Sequence, residues 1–114
     1  MNISDEVVLF ITSISKNYYK KKEFSLDNSN IKIFRTNDTF IEINLYEFIS
    51  RCKKYLLEQG YGISIIEDKT SIKLSLFKGG LIVQDFNFSN SYEQGIVDCL
   101  EWHLNSIEEI EKRA

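Results

Sequence analysis

The sequence predicts an α+β fold, with an antiparallel sheet of about five strands and three helices in the order α-β-β-α-β-β-β-α. The strands are indicated by short β-branched segments that are paired across turn residues, as in antiparallel hairpins. The helices are indicated by longer segments that place apolar residues at helical spacing behind a capping residue. The length of 114 residues suits one core, so residues 1–114 are expected to form a single compact domain.

The first helix is predicted to begin after Ser4, whose hydroxyl can cap it. Asp5 and Glu6 suit the positive first turn of such a helix, and the lysines of Lys20–Lys22 suit its negative C-terminal end. We therefore expect one long helix that reaches these lysines. Its apolar side is formed by Val7, Phe10, Ile11, Ile14 and Tyr18.

A hairpin and a second helix are predicted next. The segments "IKIFR" and "TFIEI" roughly alternate and are joined by "TND", which predicts two antiparallel strands. Asn44 can cap the helix that follows, and Gly60 suits the left-handed position just beyond its end. The apolar stripe of this helix is Leu45, Phe48, Ile49, Cys52 and Leu56.

Three further strands and a third helix complete the chain, which shows no internal sequence repeat. The strands are "YGISII", "SIKLSLF" and "LIVQDFNF", and the glycines of "KGG" suit a tight turn between the last two. Ser91 is expected to cap the third helix, with Gln94 completing an S-x-x-Q capping box. The periodicity of all elements predicts a core that includes Ile11, Ile14, Phe48, Ile49, Cys52, Leu56, Leu74, Leu76, Phe86, Ile96 and Leu100.

The layout of residues 45–105 resembles the small α-β-β-β-α "ABA sandwich" proteins that are common in phage genomes. The resemblance lies in "LYEFISRCKKYLLEQGYGISI" before the hairpins and "SNSYEQGIVDCLEWHL" after them, and it covers about half of the chain. It implies an accessory phage protein. The double-stranded-RNA-binding domain has the same element order, but the lysines that begin its last helix are missing, because Ser91, Tyr92, Glu93 and Gln94 stand there.

The segment "DCLEWHLN" holds the only Trp, the only His and one of the two Cys. Cys99 and His103 are four residues apart, so they share one side of the third helix. A zinc site would need two more ligands, of which Cys52 could supply one, and the chain has no C-x-x-C or H-x-x-x-H pattern. A Cys–His nucleophile pair would lack an electropositive setting among the acidic residues of this helix. We therefore expect no catalytic residue, no metal site and no cofactor.

The outward side of the third helix is the candidate partner surface. Trp102 lies well off the apolar stripe on a helical wheel, among small residues that let another surface approach closely. Exposed Trp is enriched at interface centres, although the first helix could instead cover this side chain. Residues 93–111 include six acidic and no basic residues. The predicted partner-binding residues are Asp98, Glu101, Trp102, Asn105 and Glu109.

Charge is spread unevenly along the chain, whose formal net charge is −3. Residues 1–54 carry nine basic and seven acidic residues, whereas residues 55–114 carry five basic and ten acidic residues. The stretch "KNYYKKKEF" mixes basic and aromatic residues, but the net charge opposes direct binding to nucleic acid. The acidic half suits a basic protein partner, such as a nucleic-acid-binding protein whose groove it would occupy.

The composition also bears on location and origin. No apolar run approaches the roughly 20 residues of a membrane span. The start "MNISDEVVLFITSI" lacks the basic region of a signal peptide, so the two Cys are expected to be free thiols in a reducing cytoplasm. The abundance of Ile, Asn, Lys, Phe and Tyr, whose codons are A/T-rich, favours a low-GC bacterium or its phage.

Small size, acidic C-terminal helix and missing catalytic motifs together predict a cytoplasmic, non-enzymatic protein-binding module. The leading hypothesis is a phage or mobile-element accessory protein that inhibits a host or defence factor, for instance a nuclease, in an anti-CRISPR-like manner. The first alternative is a bacterial immunity or antitoxin-type protein that neutralises a toxin. The second alternative is a small metal- or thiol-dependent enzyme that would use Cys99 and His103.

Overall fold

The computed structural model describes residues 1–88 and 91–113, and the side chains of all these residues except 87, 88 and 108–113. Within these ranges one helix, three strands, a second helix, three more strands and a third helix follow one another. A 3-10 turn, Lys16–Tyr18, lies between the first helix and the first strand. The elements are α1 (Asp5–Thr12), β1 (Tyr19–Phe24), β2 (Asn30–Arg35), β3 (Phe40–Asn44), α2 (Leu45–Glu58), β4 (Gly62–Glu67), β5 (Ile72–Lys78), β6 (Leu81–Phe88) and α3 (Tyr92–Arg113).

The strands form two three-stranded antiparallel sheets, ordered β1-β2-β3 and β4-β5-β6. The α+β class is therefore confirmed, whereas the expected single sheet of about five strands and the expected element order are wrong. In the first sheet, Ile33 of β2 pairs with Lys22 of β1 and Ile41 of β3. In the second sheet, Leu74 of β5 pairs with Ile65 of β4 and Phe86 of β6.

The strand that the sequence analysis missed is β1, which contains the lysines assigned above to the end of the first helix. That helix is only eight residues long. It ends where the Thr12 hydroxyl donates to the carbonyl of Val8 and Ser13 turns the chain with a φ of 58°. Lys22 then lies on the inward side of β1, where its Nζ is 2.7 Å from Oδ1 of Asp5 in α1.

The element order contains the same unit twice, because a three-stranded meander followed by a helix occurs as β1–β3 with α2 and again as β4–β6 with α3. Both helices open on a side-chain cap, as predicted. Asn44 accepts hydrogen bonds from two backbone N–H groups of α2, and Ser91 accepts one from Gln94. The two helices pack against each other, and α1 packs on both. The repetition therefore resides in the architecture, since the sequence shows no repeat.

The core lies between the helices and the two sheets. α1 contacts β1, α2 contacts β3 and β4, and α3 contacts β5 and β6. Eight of the eleven predicted core residues are buried, including the whole predicted stripe of α2 from Phe48 to Leu56. Ile11, Ile14 and Phe86 were expected in the core but are half-buried at its edge. The early end of α1 explains the first two, because Ile14 lies beyond the helix and Ile11 lies in its last turn.

The start of the chain is fastened to α3. The backbone N–H of Asn2 donates to Oε1 of Gln94, and Nε2 of Gln94 donates back to the Asn2 carbonyl, each at 2.7 Å. Gln94 was expected to complete a capping box with Ser91, and that expectation is wrong. Its side chain pairs with Asn2 instead, because the chain start passes beside the first turn of α3.

Aromatic contacts between the helices, away from the Asn2–Gln94 contact, indicate how the helices are oriented. Phe10 near the end of α1 lies edge-on to Tyr55 of α2, with ring centroids 4.7 Å apart. Tyr55 in turn contacts His103 of α3. Since α1 and α3 are also joined near their starts, through Asn2 and Gln94, these two helices run in broadly the same direction.

Two further features complete the fold. Gly79 and Gly80 join β5 to β6 with φ angles of 62° and 79°, which confirms the tight turn predicted at "KGG". Gly60 follows α2 with a φ of 91°, as its predicted position requires.

None of the helices in the described ranges combines the length and the apolarity needed to cross a membrane.

Candidate functional site on the third helix

The inward side of α3 packs on α2, β5 and β6. Ile96 and Leu100 are fully buried there, and Cys99 and His103 on the flank of the stripe are buried as well. Ile96 and Leu100 were predicted to lie in the core, and the structure confirms this. Cys99 and His103 were expected to be only partly buried beside the apolar stripe, but they are buried. The other side of α3 carries the residues predicted to bind a partner.

Trp102 belongs to both the core edge and the outward surface. Its indole is half-buried beside the phenol ring of Tyr61, with centroids 6.4 Å apart and an interplanar angle of 72°. None of the described ring contacts joins Trp102 to α1. An edge-to-face contact of this kind holds the indole in place. The remaining surface of the ring can still meet a partner.

Asp98 is half-buried and is tied to the scaffold. Its Oδ1 accepts a hydrogen bond of 3.0 Å from Nε2 of Gln94, the same nitrogen that bonds the backbone of Asn2. Burial raises the pKa of Asp98, and the Gln94 hydrogen bond lowers it by a smaller amount. Asp98 therefore supports the docking of the chain start in addition to carrying charge on this face.

The other predicted residues are less constrained. Asn105 is exposed and Glu101 is half-buried, and neither forms a hydrogen bond or an ion pair within the part of the chain whose side chains are described. The side chain of Glu109 lies outside the described residues, although its backbone continues α3. Asp98, Glu101, Trp102, Asn105 and Glu109 are together called the α3 face below.

The described carboxylates of α3 have no cation partner. Glu93, Asp98 and Glu101 form no ion pair with any described side chain, and Glu6 of α1 forms none either. By contrast, Asp5 of α1, Glu47 and Glu58 of α2 and Asp85 of β6 lie within 4.0 Å of a Lys or Arg nitrogen. The sequence explains the difference, because no Lys or Arg occurs between Lys78 and Lys112. The negative charges of Asp98 and Glu101 are therefore not balanced by an ion pair among the described side chains.

Neither cysteine is placed to act as a nucleophile. Burial raises the pKa of the Cys52 and Cys99 thiols to about 12 in each case, and the charge of Asp98 adds to the effect at Cys99. Such thiols stay protonated near neutral pH, and the thiolate is the reactive form. Across residues 1–88 and 91–113, moreover, no group of three or more His, Cys, Asp or Glu side chains could hold a metal ion.

His103 sits in a ring cluster at the end of α2. It is 5% exposed, with Nδ1 2.8 Å from Oη of Tyr61, while Nε2 is buried without a hydrogen-bond partner among the described residues. The rings of Tyr55 and Tyr61 stand edge-on to the imidazole, with centroid distances of 5.6 and 5.2 Å. Burial lowers the pKa of His103, and the Lys78 ammonium lowers it further. His103 is therefore a neutral core residue at physiological pH.

Tyr61 is the important neighbour that sequence reasoning missed. It contacts both Trp102 and His103, and the Nζ of Lys78 lies 4.9 Å from the centroid of its ring. The sequence predicted Tyr61 as the first residue of the strand "YGISII", but the observed strand β4 begins at Gly62. Tyr61 therefore lies just before the strand, where alternation along the strand does not indicate which residues it contacts.

No family model matches the chain, and comparisons with curated proteins and with solved structures find no match.

Proposed function

We propose that this chain is a non-enzymatic protein-binding module whose α3 face contacts a basic protein surface. The observation that carries the proposal is the lack of any cation partner for Glu93, Asp98 and Glu101 among the described side chains. Unpaired carboxylates on one helix attract a positively charged partner over a screening distance of about 8 Å at physiological salt. The α3 face thus supplies long-range attraction before any contact is made.

Trp102 would supply the short-range part of the interaction. A half-buried indole offers a large contact area, and its packing against Tyr61 has already restricted its rotation. Little conformational entropy would therefore be lost when a partner covers the exposed part of the ring. Asn105 beside it is exposed and can exchange water for a hydrogen bond with the partner.

The partner we propose is a nucleic-acid-binding protein whose basic groove the α3 face occupies. The composition of the chain favours a low-GC bacterium or its phage as the source. If the source is a phage or a mobile element, the target would be a host or defence factor such as a nuclease. Inhibition would follow because the acidic helix and the nucleic acid compete for the same cations. A bacterial immunity protein would use the same surface against a toxin, and the genes beside this one distinguish the two settings.

A small metal- or thiol-dependent enzyme is disfavoured by the geometry around Cys99. Its thiol pKa of about 12 leaves little thiolate near neutral pH. Nδ1 of His103 is already hydrogen-bonded to the hydroxyl of Tyr61. Elemental analysis of the purified protein gives an independent check on this alternative. Stoichiometric zinc or iron would overturn the binding-module proposal in favour of a metalloprotein.

The proposal is tested by affinity capture from a low-GC bacterial lysate with three immobilised proteins. These are the wild type, Glu101→Lys on the α3 face, and Glu67→Lys as a matched control with the same charge change at an exposed site at the end of β4. We expect the wild type and Glu67→Lys to retain the same basic protein, and Glu101→Lys to lose it. Raising the salt concentration should release it from the wild type.

Both variants must first be shown to be folded. Each substitution replaces a side chain that has no partner among the described residues, so its effect on the free energy of unfolding should stay within about 0.5 kcal/mol. Equal capture by Glu101→Lys and by the wild type would contradict the proposal, because the α3 face would then not be the contact surface.

A further inference from the structure

A cleft of about 420 Å³ opens where α1 ends beside the first sheet. It is separate from the α3 face, and the proposed function does not use it. The left-handed turn at Ser13 redirects the chain after α1, so that the next residues form one wall and the end of β2 forms the other. The lining residues are Ser13, Ile14, Ser15, Tyr18, Arg35 and Asn37.

Arg35 points into this cleft from an unusual position. Alternation along β2 places Ile31, Ile33 and Arg35 on one side of the strand, and the two isoleucines are fully buried. Arg35 therefore continues the core-facing side at the strand end and is itself half-buried. Such a position partly removes the guanidinium from water, which is costly unless its N–H groups find acceptors.

The described residues leave most of that guanidinium unsatisfied. Among the described residues, its hydrogen bond is a long contact of 3.5 Å from Nη1 to Oγ1 of Thr39, at the distance limit for a hydrogen bond. No described carboxylate pairs with Arg35. Arg51 on α2 shows the contrast, because its Nη2 lies 2.8 Å from Oε1 of Glu47.

Other residues that line the same cleft carry hydrogen-bond donors. The hydroxyls of Ser13, Ser15 and Tyr18 have no hydrogen bond among the described residues. Asn37 uses Oδ1 to accept from the N–H and the hydroxyl of Thr39, which leaves its amide nitrogen free to donate. The cleft thus combines one guanidinium with several uncharged donors.

The local charge is positive. Lys16 in the 3-10 turn has no ion-pair partner within the described part of the chain, and Lys20 has only a loose contact of 3.7 Å with exposed Asp38. The C-terminus of α1 contributes about half a negative elementary charge, which opposes an anion here. Arg35, which lines the cleft, carries a full positive charge that exceeds that opposition.

We propose that this cleft binds a phosphomonoester, meaning a small organic molecule that carries a terminal phosphate. A guanidinium fork together with hydroxyl and amide donors matches the many acceptor sites of a phosphate better than the two oxygens of a carboxylate. Ile14 and the ring of Tyr18 offer an apolar wall for the organic part. The volume also falls within the range of roughly 300–1,000 Å³ found for small-molecule sites.

The test is isothermal titration calorimetry with adenosine monophosphate, inorganic phosphate, adenosine and acetate as probes. We expect saturable binding of adenosine monophosphate, weaker binding of inorganic phosphate, and no binding of adenosine or acetate. Arg35→Ala should weaken the binding of adenosine monophosphate by about tenfold or more, since a hydrogen-bonded charge is lost. Arg51→Ala removes the same charge from α2 and should leave binding unchanged.

Several outcomes would overturn the proposal. They are the absence of saturable binding of either phosphate compound by the wild type, equal binding of acetate and phosphate, and unchanged affinity in Arg35→Ala. If Arg35→Ala fails to fold, the double variant Ser15→Ala with Tyr18→Phe replaces it, because both side chains are exposed. Its affinity for adenosine monophosphate should fall while its melting temperature stays the same, and an unchanged affinity would also refute the site.

Discussion

The Tyr61 hydroxyl oxygen and Nδ1 of His103 lie 2.8 Å apart, and this hydrogen bond joins the start of β4 to the middle of α3. The ring of Tyr61 also contacts the half-buried indole of Trp102. Tyr61 therefore links the buried imidazole of His103 to the indole of the α3 face. Because only one of the two imidazole nitrogens has a described partner, this link depends on His103 staying neutral.

Stability should consequently depend on the protonation of His103. Burial lowers its pKa below the ordinary value of 6.5, so the folded protein binds this proton less tightly than the unfolded chain does. The contribution is complete above the unfolded pKa and is lost as the pH falls below it toward the folded pKa. We expect the urea midpoint to fall from about pH 7.5 to about pH 5.5 in the wild type.

The matched control for this prediction is His103→Gln, which removes the only imidazole in the chain. The urea midpoint of this variant will be lower at every pH. Its midpoint should change less between pH 7.5 and pH 5.5 than that of the wild type. Carboxylates such as Asp98 titrate in both proteins, so the difference between the two curves reports His103 alone. Parallel curves would show that the imidazole titrates alike in the folded and unfolded states.

The two cysteines should be unreactive in the folded protein. Burial raises both thiol pKa values to about 12, and both side chains are fully buried. We expect iodoacetamide at about pH 8 to label neither Cys52 nor Cys99 under native conditions, and to label both in guanidinium chloride. Mass spectrometry gives the number of labelled cysteines directly. Rapid native labelling of Cys99 would revive the thiol-enzyme alternative.

The placement of α3 is tested by its central leucine. Leu100 is fully buried, so Leu100→Ala should lower the free energy of unfolding by about 2–5 kcal/mol, as the deletion of a packed leucine does. Leu57→Ala on α2 is the matched control, because Leu57 is 48% exposed and the same deletion there should cost much less. Equal denaturation midpoints for the Leu100 variant and the wild type would contradict the packing of α3.

The sequence predicted the features that depend on local chemistry. Asn44 and Ser91 cap their helices, the two glycines of "KGG" make the turn, and the stripe from Phe48 to Leu56 is buried. Each of these follows from a few neighbouring residues. Helical periodicity likewise placed His103 and Cys99 on one side of α3, although it did not predict that both would be buried.

Features that depend on distant residues were missed. The lysine-rich segment Tyr19–Phe24 is a strand because it pairs with β2 and because Lys22 reaches Asp5, and neither relation is visible locally. Because β1 was missed, the first sheet was predicted as a two-stranded hairpin instead of a three-stranded sheet. Ile3 is 1% exposed although it precedes the first helix, since the chain start is fastened to Gln94 from the far end of the sequence.

Direct binding to nucleic acid is predicted to be weak. The net charge of −3 repels the phosphate backbone, and the acidic residues of α3 add to that repulsion. The cleft at Arg35 suits one phosphate group, whereas a polymer needs several such contacts. Fluorescence anisotropy with labelled single- and double-stranded oligonucleotides checks this at physiological salt. Nanomolar affinity that falls steeply with added salt would refute the prediction.

The two parts of the α3 face should act on different rate constants. Trp102→Ala should mainly raise the dissociation rate of the captured partner, costing about 2 kcal/mol or more if the indole is an anchor. Trp102→Phe keeps a ring beside Tyr61. It therefore distinguishes an effect on the packing of α3 from the loss of the contact between the indole and the partner. If Trp102→Ala unfolds the protein and Trp102→Phe binds normally, then the indole belongs to the scaffold alone.

The most direct test of the proposed binding function is the association rate of that partner, measured by surface plasmon resonance at several salt concentrations. Glu101→Lys with Glu109→Lys should lower the association rate, and added salt should reduce the rate of the wild type toward that of the variant. The dissociation rate should change much less. An association rate that is the same in the wild type and the double variant, and independent of salt, would contradict the account of the α3 face.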